Sequence, residues 1–122
     1  MERILGLYAG KVYNPEKCRQ EVFFDREYHS LIDLTSYGHD IESSWLIDWG
    51  CGLLGDPALE EKTAAINSAL AGSVLEAAFD GQSLANECER GIVDTHRVWW
   101  VQAEALLGFA HAFSKHPGRT EF

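Results

Sequence analysis

The chain has 122 residues, 46% of them hydrophobic, and a formal net charge of −9. That length holds one domain and no more, and the apolar fraction excludes a disordered tail. The acidic balance argues against nucleic acid or an anionic membrane as a partner, because either selects a basic stripe, while a small neutral ligand stays compatible.

The N-terminal MERILGLYAG is too short and too charged for a signal peptide. It reads as two turns of helix, the tail of a longer one, with Gly10 as its stop. NPEKC, after Val12 and Tyr13, is a turn signal, and EVFFDREY reads as a short extended segment. Together they predict a hairpin-like excursion. Helical texture starts at Ser36, which suits an N-cap, with Asp40 and Glu42 at the positive end of the helix and Leu46, Ile47 and Trp49 as apolar surface. GCGLLGDP ends that helix. Asp56 and Pro57 then open another, with Leu59, Ala64, Ile66, Leu70, Val74 and Leu75 at helical period up to Phe79. FDGQSLANECERGIVDTHR reads as a second hairpin or irregular excursion, with Asn86 to Glu89 as a solvated acidic loop. VWWVQAEALLGFAHAFS is the last helix, and the Pro-Gly of KHPGRTEF breaks it. The expected class is all-α, with short β-like excursions that gather at the ends of helices carrying unusual polar residues. Cys18, Cys51 and Cys88 form no CxxC pair and are odd in number. A disulfide framework is not expected and a reducing cytoplasm is. No apolar run is long enough to span a bilayer.

Two helices carry candidate chemistry. His39, Glu42 and Trp45 are spaced i, i+3, i+6 and, at about 100° per residue, share a face. At a helix N-terminus the dipole disfavours an imidazolium while a nearby carboxylate favours it, a balance suited to a proton acceptor. The same residues also fit a capped helix with a hydrogen-bonded His-Glu pair and a core Trp. Trp100 and Glu104, at i, i+4, present an indole for a sugar ring to stack on and a carboxylate for its hydroxyls; aromatic core packing is the other account. Trp99 and Gln102 point elsewhere. The other histidines, His29, His96, His111 and His116, lack comparable neighbours and read as surface or loop residues. A metal site is not expected: His-x-x-Glu reverses the order used in di-metal bundles, has no second copy, and HExxH is absent. GxSxG and phosphate-binding Gly-rich loops are absent too.

SYGHDIESSWL, with FFDREYHSLIDLTSYGHD leading into it, and WWVQAEALLGF together resemble the N-acylglucosamine 2-epimerase superfamily. The closer likeness is to its cellobiose 2-epimerase branch, with S-[FY]-G-H-D-I-E-A-S-W-L and W-W-x-Q-A-E-A. The resemblance covers nearly the whole chain. It implies part of an (α/α)6 barrel over residues 1–122 and epimerisation at C2 of a reducing-end sugar, of cellobiose or mannose type. The route it implies opens the ring and passes through an enediolate, with two histidines as acid/base and no cofactor. In that scheme His39 is the first histidine, Glu42 bonds the sugar and the histidine, Trp45 and Trp100 are pocket walls, and Glu104 binds the sugar. The family's second histidine and a sugar-binding arginine lie outside this chain, which covers roughly a third of a family member's length. The expectation is therefore an isolated chain without turnover. The helices over 66–79 and 98–113 are apolar around much of their circumference, which predicts exposed apolar faces and self-association.

Overall fold

A computed structural model describes all residues, 1–122. Helix α1 (Glu2–Leu7) passes into a π-helical turn over Tyr8–Val12, so the helical path runs through Gly10 rather than stopping there. Strands β1 (Tyr13–Asn14) and β2 (Arg19–Gln20) pair antiparallel across the NPEKC turn. The hairpin thus sits earlier than EVFFDREY, whose residues contribute only an isolated bridge between Phe24 and Ser30.

Strand β3 (Leu34–Ser36) runs directly into α2 (Tyr37–Leu54), which α3 (Pro57–Ala78) follows. Strands β4 (Glu87–Glu89) and β5 (Ile92–Asp94) precede α4 (Trp99–Lys115). The three strands form one antiparallel sheet in the order β3-β4-β5. Residues Glu87 to Glu89, expected in a solvated loop, are therefore its central strand. Helix dominates, and the excursions between helices are small sheets.

Helix α2 continues through Gly50 and Gly52 and ends where Gly55 takes the left-handed conformation, φ +67°, that glycine adopts without a Cβ penalty. Asp56 caps α3 by accepting from the Ala58 and Leu59 N–H groups at 3.0 and 3.2 Å, with Pro57 behind it.

Helix α2 packs extensively on both α3 and α4, which touch each other little. Its close partners on α4 run in the same direction. Gly38 meets Trp100 and Val101, Trp45 meets Glu104, and Asp48 meets His111, so α2 and α4 lie parallel. The core joins Tyr37 and Ile41 of α2, Ala71, Val74 and Ala78 of α3, and Val101, Ala105 and Ala112 of α4. Leu84 and Ala85, from the chain before β4, complete it. A smaller cluster of Leu5, Tyr8, Ile47, Cys51 and Leu70 ties α1 to α2 and α3.

The inward face of α3 differs from the apolar pattern expected of it. Thr63 and Asn67 are buried with Leu70, Ala71, Val74 and Ala78, whereas Ala64 is exposed. Thr63 is tolerated there because its hydroxyl donates to the Leu59 carbonyl at 2.9 Å. On α4 the small residues Val101, Ala105, Gly108 and Ala112 face inward at spacings of four, three and four. Trp99, at 80% exposure, and Leu106, at 76%, face out, while Trp100 and Phe109 pack half-buried against the core. No helix is long and apolar enough to cross a membrane.

Candidate active site

Glycines set the approach of α2 to α4. A Cβ on Gly38 would stand 2.5 Å from Trp100 Cη2 and 2.8 Å from Val101 Cγ2. A Cβ on Gly108 would stand 2.4 Å from Ile41 Cγ1. Ordinary van der Waals contact has no room for either, so both positions need glycine for this packing.

That approach brings the two motif helices together on one flank. Trp100 lies against His39, ring centroids 5.0 Å apart and tilted by 59°. Further along both helices, the Trp45 indole N–H donates to Glu104 Oε2 at 2.9 Å, across 59 residues of sequence. Glu42 is half-buried on the same helix between His39 and Trp45. All five residues singled out from the motifs are thus on adjoining parts of α2 and α4. Trp45 and Glu104 are one hydrogen-bonded unit rather than two separate features. His39 is exposed, and Glu42, Trp45, Trp100 and Glu104 are half-buried. Within this chain they form one open wall.

His39 takes its hydrogen bond at Nδ1 from an unexpected partner. Ser36 stands at the N-cap of α2, yet its side chain makes no capping bond. Its Oγ lies 2.7 Å from His39 Nδ1 instead. A His39–Glu42 pair is therefore not what engages Nδ1. The spacing Ser-x-x-His across a helix start is the readable signal, since the third helical residue is the one an N-cap hydroxyl ordinarily reaches.

The excursions buttress this end. Arg19, 5% exposed, donates to Thr35 Oγ1 at 3.0 Å and pairs with Glu21 at 3.0 Å and Asp33 at 2.9 Å. Gln102 points away from the flank, as expected, and clamps the backbone N–H and carbonyl of Leu84 at 2.9 and 3.0 Å. Asp40, assigned from sequence to the helix dipole, is 1% exposed and accepts the Gln20 backbone N–H at 2.9 Å, holding β2 against α2. Burial pushes its carboxyl up to about 7, against the lowering effects of that N–H and of Arg19.

The remaining histidines divide. His29 and His96 are exposed, each beside an aspartate, Asp25 and Asp94. His116 caps the end of α4. His111 is not a surface or loop residue: it is half-buried within α4, with Nε2 3.0 Å from Asp48 Oδ2, and Lys115 reaches the same oxygen at 2.8 Å. These residues line a cleft of about 320 Å³ with Glu60, Asn67 and Ser68, toward the C-terminal ends of α2 and α4 and away from His39. No group of three or more His, Cys, Asp or Glu residues is arranged to hold a metal ion.

No family model matches the chain. It is 52% identical over 118 residues to the cellobiose 2-epimerase of Eubacterium cellulosolvens, covering 97% of this chain and 29% of that protein. Among solved structures, a sugar epimerase from a ruminal bacterium superposes with a TM-score of 0.92 at 37% identity, covering 95% of this chain and 30% of that one. The cellobiose 2-epimerase of Bacillus thermoamylovorans B4167 gives a TM-score of 0.90 at 38% identity with the same coverage. The chain spans 29–30% of the length of the curated relatives it matches. Motifs, identity and superposition agree: the chain is a partial-length member of the N-acylglucosamine 2-epimerase superfamily, and the relatives it matches are cellobiose 2-epimerases.

Proposed function

We propose that the chain carries one wall of a sugar 2-epimerase site, within the helices of an (α/α)6 barrel to which residues 1–122 contribute a part. The substrate class is a reducing-end sugar of cellobiose or mannose type. Once its ring has opened, the C2 hydrogen lies α to a carbonyl, and its removal gives an enediolate. Return of a proton on the opposite face inverts C2. His39 serves one face of C2 as acid/base. Glu42 bonds the sugar hydroxyls, and Glu104, held by Trp45, bonds the sugar. The indoles of Trp45 and Trp100 are the flat apolar surfaces on which its rings stack. The proton bookkeeping closes on side chains alone, so the reading calls on no cofactor.

The single observation that carries this reading is the convergence of both motifs on one flank. Trp45 bonds Glu104, and Trp100 covers His39. A second acid/base is needed on the other face of C2. In the family that histidine lies outside the span of this chain, so the isolated chain is expected to bind sugar without epimerising it.

A second reading, a sugar-binding or interaction module without turnover, is favoured by the openness of the wall and the apolar exposure of α4. Titrating intrinsic Trp fluorescence with cellobiose, mannose and a non-sugar control tests what the two readings share. A saturable, sugar-specific change that Glu104→Ala weakens is expected. The same response to the non-sugar control, or none to any sugar, removes the binding assignment.

A further inference from the structure

Ser36 has a standard task that it does not perform. It occupies the N-cap of α2 with extended backbone angles, φ −98° and ψ 99°, where a serine hydroxyl ordinarily accepts an N–H of the first turn. No such bond is made. The hydroxyl is spent on the imidazole of His39, three residues on, at 2.7 Å from Nδ1.

Its position is fixed from two sides. Ser36 is 6% exposed, and as the last residue of β3 it lies in register with Glu87 of β4. The ring it holds is backed by Trp100, which itself rests on Gly38. Held at Nδ1 by a buried group and flanked by an indole tilted 59° to it, the exposed imidazole leaves Nε2 without a hydrogen-bond partner in the protein. A hydroxyl also differs from other partners in what it tolerates. A backbone N–H matches only a bare Nδ1, and a carbonyl only a protonated one. A serine hydroxyl donates to the first and accepts from the second.

We propose that Ser36 is the positioning residue of His39: its hydroxyl holds Nδ1 in the neutral and in the protonated ring alike, so that Nε2 is the nitrogen presented to a ligand in both states. This rests on the acid/base reading of His39, whose need is a ring that keeps its aim while its charge changes. The geometry itself is readable without any sugar. Failure of the positioning claim is therefore separable from failure of the epimerase reading.

The test is NMR of the 122-residue chain. The His39 ring protons are assigned by their loss in His39→Asn, at about pH 5 and about pH 9, on either side of the ordinary imidazole range. Trp100 places a ring-current shift on them, and the Trp45 indole N–H signal, set by its bond to Glu104, reports that the α2–α4 packing is intact. The expected result is that the ring-current shift persists at both pH values in the wild type and in Ser36→Thr. In Ser36→Ala it is lost while the Trp45 signal stays in place. Persistence of the full shift in Ser36→Ala overturns the proposal, as does its loss from the wild type at either pH. If Ser36→Ala does not fold, Ser36→Cys, which keeps the size and weakens the hydrogen bond, takes its place with the same two outcomes.

Discussion

Trp45 and Gly38 position the candidate site by different physical means, and their substitutions separate the two. The Trp45 N–H on the Glu104 carboxylate is a hydrogen bond to a charged group, half-buried, in a class worth about 1.5–3 kcal/mol. Glu104→Gln keeps an acceptor and loses the charge; Trp45→Phe loses the donor and keeps most of the ring. Urea denaturation should show Trp45→Phe destabilised by about 1–2 kcal/mol and Glu104→Gln by less. Equal losses would mean that the charge, not the bond, holds the pair. Gly38 works by absence. Gly38→Ala is expected to cost about 1–3 kcal/mol through overpacking against Trp100 and Val101, and to shift the Trp emission. Gly6→Ala makes the contrast: nothing lies within 4 Å of its Cβ position in α1, so the loss of glycine's backbone freedom should stabilise by about 0.5–1 kcal/mol. A Gly38→Ala variant as stable as the wild type would contradict the close approach of α2 and α4.

At the scale of elements, the junction of β2 with α2 carries a pH dependence. Asp40 titrates near 7 in the folded chain, because burial disfavours its charge, against 3.8 for an unperturbed aspartate. Between those two values the folded state holds a proton that the unfolded state has released. The contribution of Asp40 to stability therefore falls as pH rises from about 4 to about 7, then levels off. Asp40→Asn keeps an oxygen for the Gln20 N–H and removes the ionisation. Its stability relative to wild type should rise across that window, the advantage amounting to a few kcal/mol by about pH 8. A difference between the two proteins that does not vary with pH would mean Asp40 is solvated.

The same junction shows what is legible in the sequence. The four helices and the turn residues that bound them, Asp56, Pro57 and Gly55, act locally, and local signals find them. Asp40 reads from sequence as a dipole-facing carboxylate, because its burial comes from β2, twenty residues away along the chain. Helix α4 reads as apolar around much of its circumference, and its exposed Trp99 and Leu106 agree with that. Which side turns inward is decided by Gly108 against Ile41, a contact no periodicity records. The five site residues are legible as two separate motifs. Their meeting on one flank depends on α2 and α4 lying parallel, which α3 and the β3-β4-β5 sheet impose. Ser36 is legible as a cap, and the Ser-x-x-His spacing is the one local signal of its turn toward His39.

On the scale of the whole molecule, apolar surface is the dominant feature. Trp99, Leu106, Leu107 and Phe113 of α4 are exposed together with Trp49 and Leu53 of α2 and Ile4 of α1. Exposed apolar faces of this kind favour association. Sedimentation velocity is expected to show concentration-dependent oligomers that Leu106→Gln with Leu107→Gln reduces. A monodisperse monomer with a cooperative melt would contradict this.

The chain's 118 matched residues make a direct exchange feasible: they can replace the corresponding segment of the Eubacterium cellulosolvens cellobiose 2-epimerase. The chimera is incubated with cellobiose in D2O and the product examined for deuterium at C2 and for inversion there. The account predicts deuterium incorporation with epimer formation, lowered by about 10²–10⁴-fold in His39→Asn, the range for a general acid/base group. A folded chimera that epimerises equally well with and without His39 would contradict the assignment of this wall as catalytic.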